Sequence, residues 1–161
     1  MKLVTYEVEN KVRLGVVSKD GEWVYPLKAC GMDYDEMQEL IEGISESELQ
    51  LIEHVSKSDP YEIRGAAKVE EVKLLAPILS PNQDIICLGI NYMAHAEESA
   101  RYKKEEFSGE RPYAVYFSKR VNRTVSNGEG IPSYPGLVDS LDYEAEFAVI
   151  IGKDAKNVKP E

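Results

Sequence analysis

The sequence predicts an α+β chain in two parts: a small N-terminal α/β domain over residues 1–76 and a second part over 77–161. Three observations carry this. Short alternating runs joined by turn residues open the chain. Two amphipathic helical stretches follow them. Around Pro77 and Pro81 the pattern then changes, from charged helix to a strand-like run, "DIICLG" at 84–89, that is apolar after Asp84. Prolines at that spacing break regular structure, so the boundary falls near 76–80.

Residues 2–9 alternate as a strand, and Glu9-Asn10 reads as a turn. "VRLGVV" (12–17) is a second strand, "KDG" (19–21) a second turn, and "EWVYPL" (22–27) a third strand. Together they make a small antiparallel meander. Helices are expected over 33–42 and 46–57. In the second, Ser45 and Glu48 have capping-box spacing, ahead of Leu49, Leu51, Ile52 and Val55 at helical intervals. The acidic run across 33–48 reads as solvated helix faces.

Composition narrows the function. A chain of 161 residues that is 43% hydrophobic can bury a core. Its formal net charge of -10 argues against nucleic acid as partner, which calls for a basic face. A small anionic substrate stays open, because a local basic pocket can sit in an acidic protein. Cys30 and Cys87 leave one disulfide open but do not suggest a disulfide framework, and Cys87, in "IICLG", reads as a buried thiol. The opening "MKLVTYEVEN" is not a signal peptide, and no apolar run has transmembrane length. A cytoplasmic protein with no membrane partner is the expectation.

The second part holds the chemistry. "DIICLG" is short and apolar enough to be a strand buried on both faces. It leads into "INYMAHAEESARYKKEEF", where Asn91 is placed to cap a helix starting near Tyr92 or Met93. His95 and Glu98 then lie three apart on one helical face. A carboxylate beside an imidazole orients it and raises its basicity, as a general base requires. The other reading of the pair is a surface histidine beside an acid. "YAVYFSK" (113–119) is a strand that ends on Lys119, followed by a loop rich in Asn, Gly, Ser and Pro. Arg111, Lys119, Arg120 and Arg123 form a basic cluster suited to carboxylates. Arg111 and Arg120 read equally well as surface cations.

"SLDYEAEFAVIIGKD" (140–154) sets Glu144 and Glu146 two apart in an apolar run. A strand points both to one face. Two adjacent carboxylates repel, and a divalent cation removes that repulsion. Ligands that are all oxygen favour a hard ion: Mg²⁺ first, with Mn²⁺ or Ca²⁺ as alternatives. The competing reading is an edge strand with a wet face. Ala148 and Ile150 make that same face apolar further along, against this second reading.

"IICLGINYMAHAEE", "YFSK" and "LDYEAEFAVIIGKDAKNV", in that order, resemble the fumarylacetoacetate hydrolase family over about residues 76–161. The preceding part is similar to the small N-terminal domain of many bacterial members. The resemblance implies a mixed β-roll around a metal cleft, in homodimers. It implies Glu144 and Glu146 as metal ligands, His95 and Glu98 as a catalytic dyad, and Lys119 near the site. Arg123 joins Lys119 as an expected substrate-binding cation. Members hydrolyse, decarboxylate, hydrate or isomerise 2-keto and β-diketo acids, so a small keto acid is the expected substrate. Members also continue beyond the equivalent of Glu161, with a third ligand, an aspartate, and a further lysine; Asp154 does not match that aspartate. The resemblance therefore makes this chain the first half to two-thirds of a member. On that ground the isolated chain is expected to be inactive. An alternative is a non-catalytic piece that needs a complementary chain to complete its metal site.

Overall fold

A computed structural model describes residues 1–103 and 113–160, without the side chains of His95, Glu98, Ser99, Tyr102 and Lys103. The chain forms two compact units. One comprises Met1–Leu79 and the chain from Thr124 onward, and the other is Ser80–Arg123.

The first unit opens as the expected meander. β1 (Lys2–Val8), β2 (Lys11–Val17) and β3 (Trp23–Pro26) pair antiparallel in sequence order. The β1–β2 register runs from Lys2↔Val17 to Val8↔Lys11, leaving Glu9 and Asn10 as a two-residue loop. Both loop residues have positive φ, 51° and 58°, as a type I′ hairpin turn demands. At the next turn Gly21, at φ 86°, donates to the Ser18 carbonyl, while Ser18 donates its backbone N–H to the Trp23 carbonyl.

α1 (Met37–Gly43) and α2 (Glu46–Val55) follow. α1 starts four residues later than expected. Glu36 takes the N-cap position and forms a capping box with Glu39. α2 has the expected box: Ser45 Oγ accepts from the Glu48 N–H, and Glu48 Oε2 accepts from the Ser45 N–H at 2.8 Å. Of the four apolar positions expected to face inward from α2, Ile52 and Val55 are buried, whereas Leu49 and Leu51 are exposed. A ten-residue helix packing on one sheet face buries a narrow stripe, and Leu49 and Leu51 lie outside it.

Two short strands complete the sheet. β4 (Ala67–Lys68) pairs with β3, and β5 (Lys73–Leu74) returns to β1, giving the order β4-β3-β2-β1-β5. Alternation puts Leu14, Val16 and Tyr25 on one sheet face. They pack with Leu27, Met32, Met37, Leu40, Ile52 and Val55 in one core cluster. Tyr25 reaches through it to donate its hydroxyl to the Ser58 carbonyl at 2.9 Å. On the opposite face Gly15 lets its neighbours close in. A Cβ there would lie 2.6 Å from Val24 Cγ1 and 2.9 Å from Tyr6 Cε1.

In the second unit β6 (Ile85–Gly89) and β7 (Val115–Lys119) form a two-stranded antiparallel ladder, with α3 (Met93–Lys103) between them in sequence. The expected burial of β6 on both faces is not met. Its residues are exposed or half-buried, and Cys87 is half-buried. A two-stranded ladder has no second layer of its own, so an apolar sequence alone cannot bury it.

The expected strand over 143–152 is likewise absent. Residues 141–152 have no regular secondary structure and are exposed. A strand needs a ladder partner for its N–H and C=O groups, and no described strand pairs with this segment. Among the described residues no helix is long and apolar enough to cross a membrane.

Candidate active site

The turn from β6 into α3 is the first element of the candidate site. β6 ends at Gly89, and Ile90 follows with φ 41°. A β-branched residue in that region is strained, because its Cβ crowds the backbone. α3 begins three residues later at Met93, and the Ala96 N–H donates to the Tyr92 carbonyl at 3.0 Å. His95 is thus in the first turn of α3 and Glu98 three residues on, as their spacing predicted. The side chains of both lie outside the described residues, as does Arg111.

β7 carries Lys119 at its last position, as expected. The antiparallel register pairs Lys119 with Ile85 and Val115 with Gly89. Lys119 therefore stands at the opposite end of the ladder from the turn into α3. At about 3.4 Å per residue the two ends lie roughly 14 Å apart along the strands. The Lys119 ammonium lies over the Phe117 ring, 5.6 Å from its centroid. Arg120 pairs with Asp84, Nε to Oδ1 at 3.3 Å, so of the two cations read as equally superficial, this one is tied to a carboxylate. Arg123 is exposed and is the last residue of the second unit.

Glu144 and Glu146 belong to the first unit and are exposed. Neither makes an ion pair or hydrogen bond with a described residue. As oxygen donors the two suit a hard divalent ion by type, but the strand expected to point both to one face is absent. They are an incomplete set, since among the described residues no group of three His, Cys, Asp or Glu side chains could hold a metal. Asp142 turns back on its own chain, accepting the Tyr143 N–H at 2.9 Å.

Residues that sequence reasoning passed over fasten the loop after Arg123. Thr124 donates its N–H to the Leu79 carbonyl at 2.9 Å and its hydroxyl to the Ile78 carbonyl at 2.7 Å. Ser126 is buried, and its Oγ accepts the Ala76 N–H at 3.2 Å. Glu129 closes a turn by donating to the Ser126 carbonyl and accepting the Ser126 N–H, and it pairs with Lys73 at 3.3 Å. Gly128, at φ 75°, supplies the positive φ that a type II turn needs at its third residue. The Asn127-Gly128 dipeptide was the available signal for this turn. The partners of Thr124 and Ser126 are some fifty residues away in sequence, where no local pattern reaches them.

Residues 84–161 match the family described as Fumarylacetoacetate (FAA) hydrolase C-terminal. That match spans β6, the α3 turn, β7 and the glutamate pair, and the chain belongs to the fumarylacetoacetate hydrolase family. Over its whole length it is 32% identical to oxaloacetate tautomerase YisK of Bacillus subtilis, covering 55% of that protein. It is 31% identical to the mitochondrial oxaloacetate tautomerase fahd2 of Xenopus laevis, covering 47%. An uncharacterized protein of Staphylococcus haemolyticus, SH1982, matches 98% of the chain at 26% identity. The chain spans about half the length of these curated relatives.

Proposed function

We propose that this chain supplies the first part of a divalent-metal site that isomerises a small 2-keto dicarboxylate, with keto–enol tautomerisation of oxaloacetate as the leading reaction. Two relatives bear that activity in their names, and both align with the whole chain. The observation that carries the reading is the Gly89–Met93 turn, which starts α3 two residues before His95, within the family match. In this reading the second part contributes the first strands of a mixed β-roll, and a homodimer is the working assembly.

Glu144 and Glu146 would hold the cation, Mg²⁺ before Mn²⁺ or Ca²⁺, which when bound stabilises negative charge on the keto oxygen. Neutral His95 takes a proton from the carbon beside the keto group and returns it to the keto oxygen. One C–H bond is broken and one O–H bond formed, with no cosubstrate. Glu98, one turn along the helix, orients the imidazole and stabilises its protonated form. Lys119 and Arg123 bind carboxylate oxygens.

The test follows the enol of oxaloacetate by ultraviolet absorbance, with Mg²⁺ and this chain fused to the remaining half of the Bacillus subtilis relative, because the two carboxylates alone are an incomplete metal set. The expected result is an accelerated approach to equilibrium, lowered about 10²–10⁴-fold by His95→Ala, with metal affinity retained. Glu146→Ala should abolish Mg²⁺ binding in calorimetry. A second reading, in which a complementary chain completes the metal site, is favoured by the two-carboxylate set and by the exposed Phe147, Val149 and Ile151. Turnover that also appears when the remaining half of the Bacillus subtilis relative is added as a separate chain selects it. No turnover in either case refutes both.

A further inference from the structure

Left-handed backbone is free of steric cost for glycine, tolerated by asparagine and costly for a β-branched residue. At the corner between β6 and α3 that assignment is inverted. Gly89 and Asn91 flank Ile90, and neither has a positive φ, whereas Ile90 between them has φ 41°. Of the five described non-glycine residues with positive φ, Ile90 is the only β-branched one. Crowding does not reserve position 89 for glycine either. A Cβ there would meet nothing closer than Val115 at 3.6 Å, an ordinary contact. The corner is short and held at both ends. Gly89 is the last ladder residue of β6, opposite Val115, and only three residues, 90–92, lie between β6 and α3. Ala96, buried to 4% exposure, closes the first turn of α3 with its N–H on the Tyr92 carbonyl at 3.0 Å.

We propose that this corner is a two-state switch, in which the left-handed residue moves between Ile90 and Asn91 and the first turn of α3 shifts with it. The structure holds the strained placement, at Ile90. In the relaxed placement Ile90 takes the extended backbone that β-branched residues favour. The antiparallel register then sets it opposite Ala114, one pair beyond Gly89↔Val115, so the ladder grows by a pair. Moving the left-handed residue back to Gly89 instead would disrupt that last pair, which is why Asn91 is the other station. Strain at Ile90 narrows the gap between the two placements, and strain of this kind gathers at segments that switch. The turn that shifts contains His95, so a ligand engaging one placement alone draws the population toward it. That consequence rests on the reading of His95 given above, and the switch itself does not.

The experiment uses the full 161-residue chain. Amide relaxation dispersion by NMR reads the switch, because exchange between two backbone placements falls in the microsecond-to-millisecond range. Exchange is expected at residues 90–93, Ala96 and Ala114, with the β1 and β2 amides flat. Ile90→Gly removes the strain, and Asn91→Ile denies the second station. Each should cut the exchange contribution at Ala96 at least fivefold, and either one decides should the other not fold. Asn91→Gly should raise the population of the relaxed placement at least threefold. Ile90→Val, still β-branched, should leave that population within twofold of the native value. Should His95→Ala leave the turnover of the fused enzyme unchanged, the reading of His95 falls while the switch stands, since its readout contains no turnover. Dispersion absent from the native chain, or unchanged in both Ile90→Gly and Asn91→Ile, overturns the switch.

Discussion

The strands of the β6–β7 ladder are at least as apolar as those of the five-stranded sheet, yet among these strands the buried residues lie in the sheet. Val16, Leu40 and Ile52 are wholly buried in the first unit, while Ile86 on β6 is 67% exposed. The difference lies in what covers them. α1 and α2 follow the meander closely in sequence and fold back on its face. β6 and β7 have each other, and a lone two-stranded ladder is marginal in water. Apolar composition states that a strand needs cover, and topology decides whether it has any.

The largest effect that sharpens this contrast is a cavity in the covered region. Ile52→Ala should destabilise the chain by about 2–5 kcal/mol in urea unfolding, because Ile52 has no exposure into which the site can relax. Gly15→Ala comes next. Its new methyl meets Val24, Tyr6 and the Tyr25 carbonyl within 3.1 Å, and overpacking of this kind costs about 1–3 kcal/mol. Ser45→Ala removes the α2 cap and should cost about 1 kcal/mol.

The cap also titrates. Hydrogen bonds from the Ser45 backbone N–H, then from its hydroxyl, hold the Glu48 carboxyl below the usual glutamate range. The folded value lies under the unfolded one, so its contribution is present above the unfolded pKa and is lost as pH falls through the folded value. Helix content followed by circular dichroism should drop in that acid window, and Glu48→Gln should flatten the drop. A drop of equal size in Glu48→Gln would assign it to other carboxylates. Smallest of all should be Ile86→Ala, within about 0.5 kcal/mol, since its side chain is already in water. A loss like that of Ile52→Ala would break the comparison, by showing that β6 is covered in solution.

The sequence by itself determined the local features. The Glu9-Asn10 turn, the Ser45–Glu48 box and the start of α3 at Met93 each depend on residues within a few positions of one another, and each formed as expected. So did the order of motifs that marks the family, which is a property of the chain and needs no folding to be read. Tertiary structure decided the rest. Leu49 and Leu51 look identical to Ile52 in periodicity, and only the packing of α2 on the sheet selects which of them is buried. The run 143–152 reads as a strand, but a strand is completed by hydrogen bonds to another segment, and none of the described strands provides them. The bonds of Thr124 and Ser126 to residues near 76–79 span some fifty positions, and local patterns cannot encode a contact whose partner is chosen by the fold.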